Sequence, residues 1–101
     1  MNVTDVTVAR LYLTEGHAQL EALLKRLHQL EKLRGVTVYR GIAGIGPSGE
    51  LHTAKLVDLS LELPIVVEFF DTPDKIAAAI DHLQPLIKPG HLLTWPAQVN
   101  D

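Results

Sequence analysis

At 101 residues, 47% of them apolar and with a formal charge of −3, the chain is expected to form one domain, residues 1–101, around a real core. The acidic balance and the absence of a basic stripe interleaved with aromatics argue against a nucleic-acid groove, and the absence of cysteine excludes disulfide and thiolate chemistry. No apolar run reaches the roughly 18 residues of a membrane helix, and Met1–Arg10 carries Asp5 and no signal-peptide core, so a cytoplasmic protein is expected.

Val3–Leu13 is rich in Val, Thr, Leu and Tyr and lacks Gly and Pro, which predicts a strand. Thr14-Glu15-Gly16 breaks it. From His17 to Arg34 the apolar period becomes helical, with Leu20, Leu23, Leu24, Leu27 and Leu30 on one stripe. Lys32 and Arg34 then fall in the last turn, where the helix dipole favours cations, and Gly35 is the expected C-cap. Val36–Ile42 reads as a second strand. Gly41–Gly49, with glycines at 41, 44, 46 and 49 and Pro47, reads as a mobile loop or hairpin tip.

Leu56–Leu63 alternates apolar and polar residues, the pattern of a half-exposed ribbon or loop arm. Ile65–Phe70 is the most apolar strand and is therefore placed centrally. Asp71-Thr72-Pro73-Asp74 predicts a helix start, with a cap residue, Pro at the first helical position and an acid in the first turn. Ile76, Ile80, Leu83 and Ile87 form its apolar stripe, and Pro85 should end or kink it. Leu92–Val99 is the last strand, and Pro96 assigns it to an edge because a central strand needs that N–H.

The order β-α-β-β-α-β predicts an α+β, ferredoxin-like fold: a four-stranded antiparallel sheet with both helices on one face. The opposite face is also apolar, so it is expected to meet copies of the same chain.

Arg40-Gly-Ile-Ala-Gly-Ile-Gly46, Ser48-Gly49, His52-Thr53, Leu59-Ser60, Leu63-Pro64-Ile-Val-Val-Glu68 and Asp74-Lys75-Ile76 form an ordered pattern. It resembles the PII-like family of domain of unknown function 190, over nearly the whole chain. The resemblance implies a homotrimer like the nitrogen-regulatory PII proteins, signalling by small-molecule binding rather than catalysis. PII proteins bind adenine nucleotides in clefts between subunits and move a long loop after the second strand, here residues 43–61. Two departures stand out. The stretch Ile87-Lys88-Pro89-Gly90-His91 has one Gly and no Arg where PII proteins carry a Gly- and Arg-rich phosphate loop. Residues 44–61 contain no Tyr, so uridylylation is not expected.

The candidate ligand-binding set is Arg40, Gly41, Gly44, Gly46, Ser48, Gly49, His52, Thr53, Lys88 and Gly90. Backbone N–H groups at the loop glycines can converge on an anion, Ser48 adds a hydroxyl, and Arg40, Lys55 and Lys88 add charge. The opposing reading is that the glycines serve turn geometry alone. His52 could contact ligand, hold a metal or pin the loop. Glu68 inside an apolar strand is either a general base or the partner of Arg10 or Arg40. Trp95 reads as packing or interface rather than a base-stacking platform. Ser48, His52 and Asp58 share one segment, which fixes no catalytic triad. Two alternatives remain open: a divalent-metal-binding trimer resembling the ion-tolerance proteins, and a dimeric α/β-barrel enzyme with a titratable group in a pocket between sheet and helices.

Overall fold

The computed structural model describes residues 2–13, 17–30, 32–45, 49, 51–53 and 64–101. A four-stranded antiparallel sheet is built from β1 (Val3–Leu13), β2 (Gly35–Arg40), β5 (Ile65–Asp71) and β6 (Leu92–Asn100), in the order β2-β5-β1-β6. Two helices, α1 (His17–Leu30) and α2 (Pro73–Leu83), cover one face. This is the expected α+β ferredoxin-like architecture. A short hairpin, β3 (Ala43–Ile45) with β4 (Leu51–Thr53), stands apart from the sheet.

Strand alternation decides what is buried. On the covered face lie Ala9, Leu11 and Leu13 of β1 and Ile65, Val67 and Phe69 of β5. Leu23 and Leu27 of α1 and Ile76, Ala79 and Leu83 of α2 close over them. β5 is central, as its composition predicts, and each apolar residue on its core side is buried. β6 is an edge, with Pro96 opposite Thr7. The core between sheet and helices is filled with apolar side chains.

The first helix corrects the sequence reading. It ends at Leu30, not Arg34; neither Lys32 nor Arg34 lies in its last turn, where the basic residue is His28. Gly35 is not its C-cap but the first residue of β2, opposite Phe70. The chain needs the intervening residues to reverse direction. A Cβ on Gly35 would fall 2.4 Å from Phe70 Cε1, so glycine is required for close approach. The main-chain N–H of Arg34 donates to Asp71 Oδ2 at 3.0 Å, which holds this connection against the end of β5.

Asp71 is buried and also accepts from the Thr72 N–H, at 2.7 Å through Oδ1. Thr72 is the N-cap of α2 but makes no side-chain cap bond, and Pro73 follows it in the first turn. The helix ends at Leu83, and Pro85 sits in a 3-10 turn, Gln84–Leu86, as its missing N–H demands. His91 N–H then donates to the Lys88 carbonyl at 3.2 Å, closing a turn in which Gly90 adopts φ +81°.

Part of the glycine-rich stretch is ladder rather than loop: Ala43 pairs with Thr53, Gly44 with His52 and Ile45 with Leu51. The strand expected to reach Ile42 stops at Arg40. Gly41 then donates its N–H to the Pro64 carbonyl at 2.8 Å, and a Cβ there would lie 2.6 Å from Pro64 Cγ. The ribbon expected over Leu56–Leu63 lies outside the described residues.

Among the described residues, Val3–Val6 pair only with β6, because β5 ends at Asp71 opposite Thr7. This arm is tied back by Arg34, whose Nη1 donates to Asp101 Oδ1 at 2.9 Å, while the Thr4 hydroxyl donates to Asp101 Oδ2. Arg34, then Thr4, hold the Asp101 carboxyl below its ordinary 3.8. A carboxyl depressed on folding stabilises above its unfolded pKa, and that contribution disappears as pH falls through the lowered value. Asp101→Asn should therefore lower the melting temperature slightly at neutral pH and not at all below the folded pKa. Thermal melts of both chains on descending the acid range check this; a difference persisting unchanged at the acid end would contradict it.

Candidate functional site: the helix-free sheet face and one sheet end

Register places Thr37, Glu68, Arg10 and Leu93 in one row across the four strands. The next row is Gly35, Phe70, Val8 and Trp95, and on the other side lie Tyr39, Val66 and Tyr12. Directly opposed residues share a face, so all of these lie away from the helices. Tyr39 and Leu93 are half exposed, at 51% each.

The charges in this row pair with each other. Arg10 Nε and Nη2 both donate to Glu68 Oε1, at 3.0 and 2.8 Å. The Arg10 guanidinium also lies 5.0 Å from the centre of the Trp95 ring, within cation–π range. Glu68 first, and the Tyr12 phenol after it, raise the pKa of Arg10 and keep it charged. Of the two partners open to Glu68, the structure shows Arg10, and an ion-paired carboxylate is poorly suited to act as a free base. Trp95 packs on a cation rather than in the core. The sequence carries no signal for this contact, because the residues are 85 positions apart in the chain (95 − 10) and meet only through strand register.

The ligand candidates fall into two groups. Arg40 is opposite Ile65, itself opposite Leu13; Gly41 and Gly44 lie against Pro64, and backbone pairing places His52 and Thr53 beside Gly44 and Ala43. Gly49 has φ +78°. Gly46 and Ser48 lie outside the described residues. Lys88 and Gly90 sit in the turn before β6, which the Tyr12 N–H grips through the His91 carbonyl at 2.9 Å. The His91 ring meets the Tyr12 carbonyl as well, with Nδ1 at 3.2 Å.

Both groups therefore lie at the same end of the sheet, but on opposite edges. β5 and β1 separate them, so three strand spacings, roughly 14 Å, lie between. One chain does not bring them together. Lys88 borders a groove of about 380 Å³ with Ala18, Gln19, Pro85, Leu86 and Ile87. Among the described residues there is no cluster of three or more His, Cys, Asp or Glu able to hold a metal. No described helix is long and apolar enough to cross a membrane.

Residues 7–99 match the family DUF190, described as "Uncharacterized ACR, COG1993". A UPF0166 protein of Aquifex aeolicus is 37% identical over 70 residues, 69% of this chain and 66% of that relative. The UPF0166 protein MJ1524 of Methanocaldococcus jannaschii is 30% identical over 90 residues, covering 85% and 82% of the two chains. Among solved structures, CPII, a nitrogen regulatory PII-like protein from Thiomonas intermedia K12 bound to ADP, AMP and bicarbonate, superposes with a TM-score of 0.74. That match covers 99% of this chain and 92% of CPII at 16% identity. CutA1 of Oryza sativa follows at 0.63, covering 97% and 83% at 9% identity. At such identities these structures share the fold. The family match over 93 positions and the PII-like architecture lead to one conclusion: this chain belongs to the DUF190 family, with the ferredoxin-like fold of the PII-like proteins.

Proposed function

We propose that the chain is a single-domain, cytoplasmic, PII-like signalling protein that acts as a homotrimer and not as an enzyme. It binds an anionic small molecule, an adenine nucleotide, in the clefts between subunits. The observation that carries this reading is the division of the candidate residues between opposite edges of one sheet end. Arg40 with the glycine-rich hairpin occupies one edge, and Lys88 with Gly90 the other. A neighbouring copy can bring the second edge to the first. The helix-free face supplies the means of assembly, being apolar and aromatic around a mutually neutralised Arg10–Glu68 pair. Support also comes from CPII, a protein of the same fold bound to ADP and AMP. Ligand binding would order the loop of residues 43–61 and present it to a protein partner.

Titration calorimetry with ATP, ADP, AMP and cyclic dinucleotides, with and without a divalent ion, tests the reading. Saturable heat from at least one adenine nucleotide is expected, with affinity reduced about tenfold or more in Arg40→Ala, the loss of one charge-assisted contact of about 1.5–3 kcal/mol. No heat from any of them at millimolar concentration would remove the nucleotide. The metal-binding reading rests on likeness to CutA1 alone and has no cluster in the described residues to carry it.

A further inference from the structure

The turn that carries Lys88 and Gly90 meets β1 at a point where two hydrogen-bond patterns claim the same group. β1 and β6 pair in antiparallel register as far as Leu11 opposite Leu92, so Tyr12 and His91 stand opposite each other at the next step. Residues in such a position exchange two main-chain bonds, N–H to C=O in each direction. Half of the exchange is present: the Tyr12 N–H donates to the His91 carbonyl at 2.9 Å. The N–H that would complete it, that of His91, donates instead to the Lys88 carbonyl at 3.2 Å.

That bond closes a turn over Lys88–His91, with Pro89 at its second position and Gly90, at φ +81°, at its third. This is the residue pattern of a type II turn. The imidazole takes over the abandoned ladder bond. His91 Nδ1 lies 3.2 Å from the Tyr12 carbonyl oxygen. A carbonyl oxygen only accepts, so the proton of this contact belongs to Nδ1. One residue thus ends the ladder with its side chain and closes the turn with its main chain.

The same segment is held at its other end, where Gln19 Nε2 of α1 donates to the Leu86 carbonyl at 3.3 Å. Between the two anchors Lys88, Pro89 and Gly90 are exposed. Pro89 has no N–H to offer, and Ile87–His91 contains one lysine and no arginine. With a single lysine and few main-chain donors, the hold of this turn on an anion depends on where those groups are kept. A group already in place binds without the cost of ordering it.

We infer that His91 is the positioning residue of the Lys88–Gly90 turn: its imidazole replaces a main-chain ladder bond and so sets Lys88 and the Gly90 N–H for an anionic ligand, without touching that ligand. The inference rests on the proposed nucleotide cleft for the identity of the ligand; the part of the imidazole in the turn does not depend on it.

The test uses the full chain. Nitrogen-15 NMR of the unliganded protein reads the neutral imidazole directly, and the Nδ1–H tautomer, the minor form of free histidine, is expected at His91. Exchange of the His91 amide should be faster in His91→Ala and restored in His91→Asn, whose Nδ2 stands at the same remove from Cβ as Nδ1. In calorimetry with ADP, His91→Ala should weaken affinity about three- to tenfold, the contribution of one neutral hydrogen bond, with circular dichroism unchanged. His91→Asn should stay within about twofold of the unaltered chain, and His91→Gln, whose amide reaches the place of Nε2 instead, should behave as His91→Ala does. An Nε2–H tautomer, or a His91 amide whose exchange is the same in His91→Ala's turn as with histidine's imidazole in place, would overturn the inference. Equal ADP affinity in all the variants would also overturn it. So would a glutamine variant that binds ADP normally beside an asparagine variant that does not, because Nε2 would then touch the ligand. If the unaltered chain gave no heat with ADP at millimolar concentration while the tautomer and exchange results held, the nucleotide cleft alone would fall and the assignment of the turn to His91 would stand.

Discussion

In the proposed homotrimer, Leu93→Arg is expected to leave only 11.1-kDa monomers in native mass spectrometry, while the isolated chain keeps its circular dichroism spectrum. Leu93 lies on the helix-free face, 51% exposed, directly opposite Arg10. In a lone chain a guanidinium there stays solvated, and the cost is a modest like-charge repulsion across the strands, below about 1 kcal/mol. In an assembly closed over this face it must be desolvated. The acid of the row, Glu68, stands on the far side of Arg10 and is already paired with it. An unpaired buried charge costs several kcal/mol, about 3–5 in measured cases, enough to dissociate a small oligomer. Leu93→Met, which conserves volume, should assemble normally. If Leu93→Arg stayed assembled, the helix-free face would not be the contact. If the unaltered chain were monomeric at micromolar concentration, the inter-subunit cleft would have no basis.

The second large effect concerns Asp71. Its carboxylate is buried and binds two main-chain N–H groups from different connections, Arg34 at 3.0 Å and Thr72 at 2.7 Å. One precedes β2 and the other starts α2, so the side chain ties the connection after α1 and the entry to α2 to one end of the sheet. Lys75 Nζ stands 3.9 Å away and adds little through solvent. Asp71→Ala deletes both bonds and leaves two donors without acceptors. At about 1–3 kcal/mol for each orphaned group, the loss should reach about 3 kcal/mol. At about 4–8 °C per kcal/mol for a domain of this size, the melting temperature should fall by roughly 12–24 °C. Asp71→Asn retains one oxygen acceptor and should lose about half as much. A drop under a few degrees in Asp71→Ala, measured by calorimetry at neutral pH, would show that water replaces the carboxylate.

The strands were legible because their patterns are local. Val3–Leu13 has the bounds expected from its composition, and Ile65–Asp71 differs by one residue. Both proline signals, at Pro85 and Pro96, had the predicted consequences, since a missing N–H acts wherever the residue lies. The end of α1 was not legible. Its polar tail, Glu31 to Arg34, continues a helical pattern in sequence, but Gly35 must pass beneath Phe70 and Arg34 must reach Asp71. Those partners are more than thirty positions away, and local propensity carries no information about them.

Binary pattern, turn chemistry and an ordered motif thus determined by themselves the βαββαβ order, the central place of Ile65–Phe70, the edge place of the last strand and the family. Tertiary structure alone decided that Glu68 belongs to Arg10, that Trp95 caps that cation, and that Gly41 is shaped by Pro64. It also decided that the candidate anion-binding residues stand on opposite edges of one sheet end. The reason is that strand register is a long-range property: each pairing joins residues far apart in the chain, and only the closed sheet sets which of them face one another.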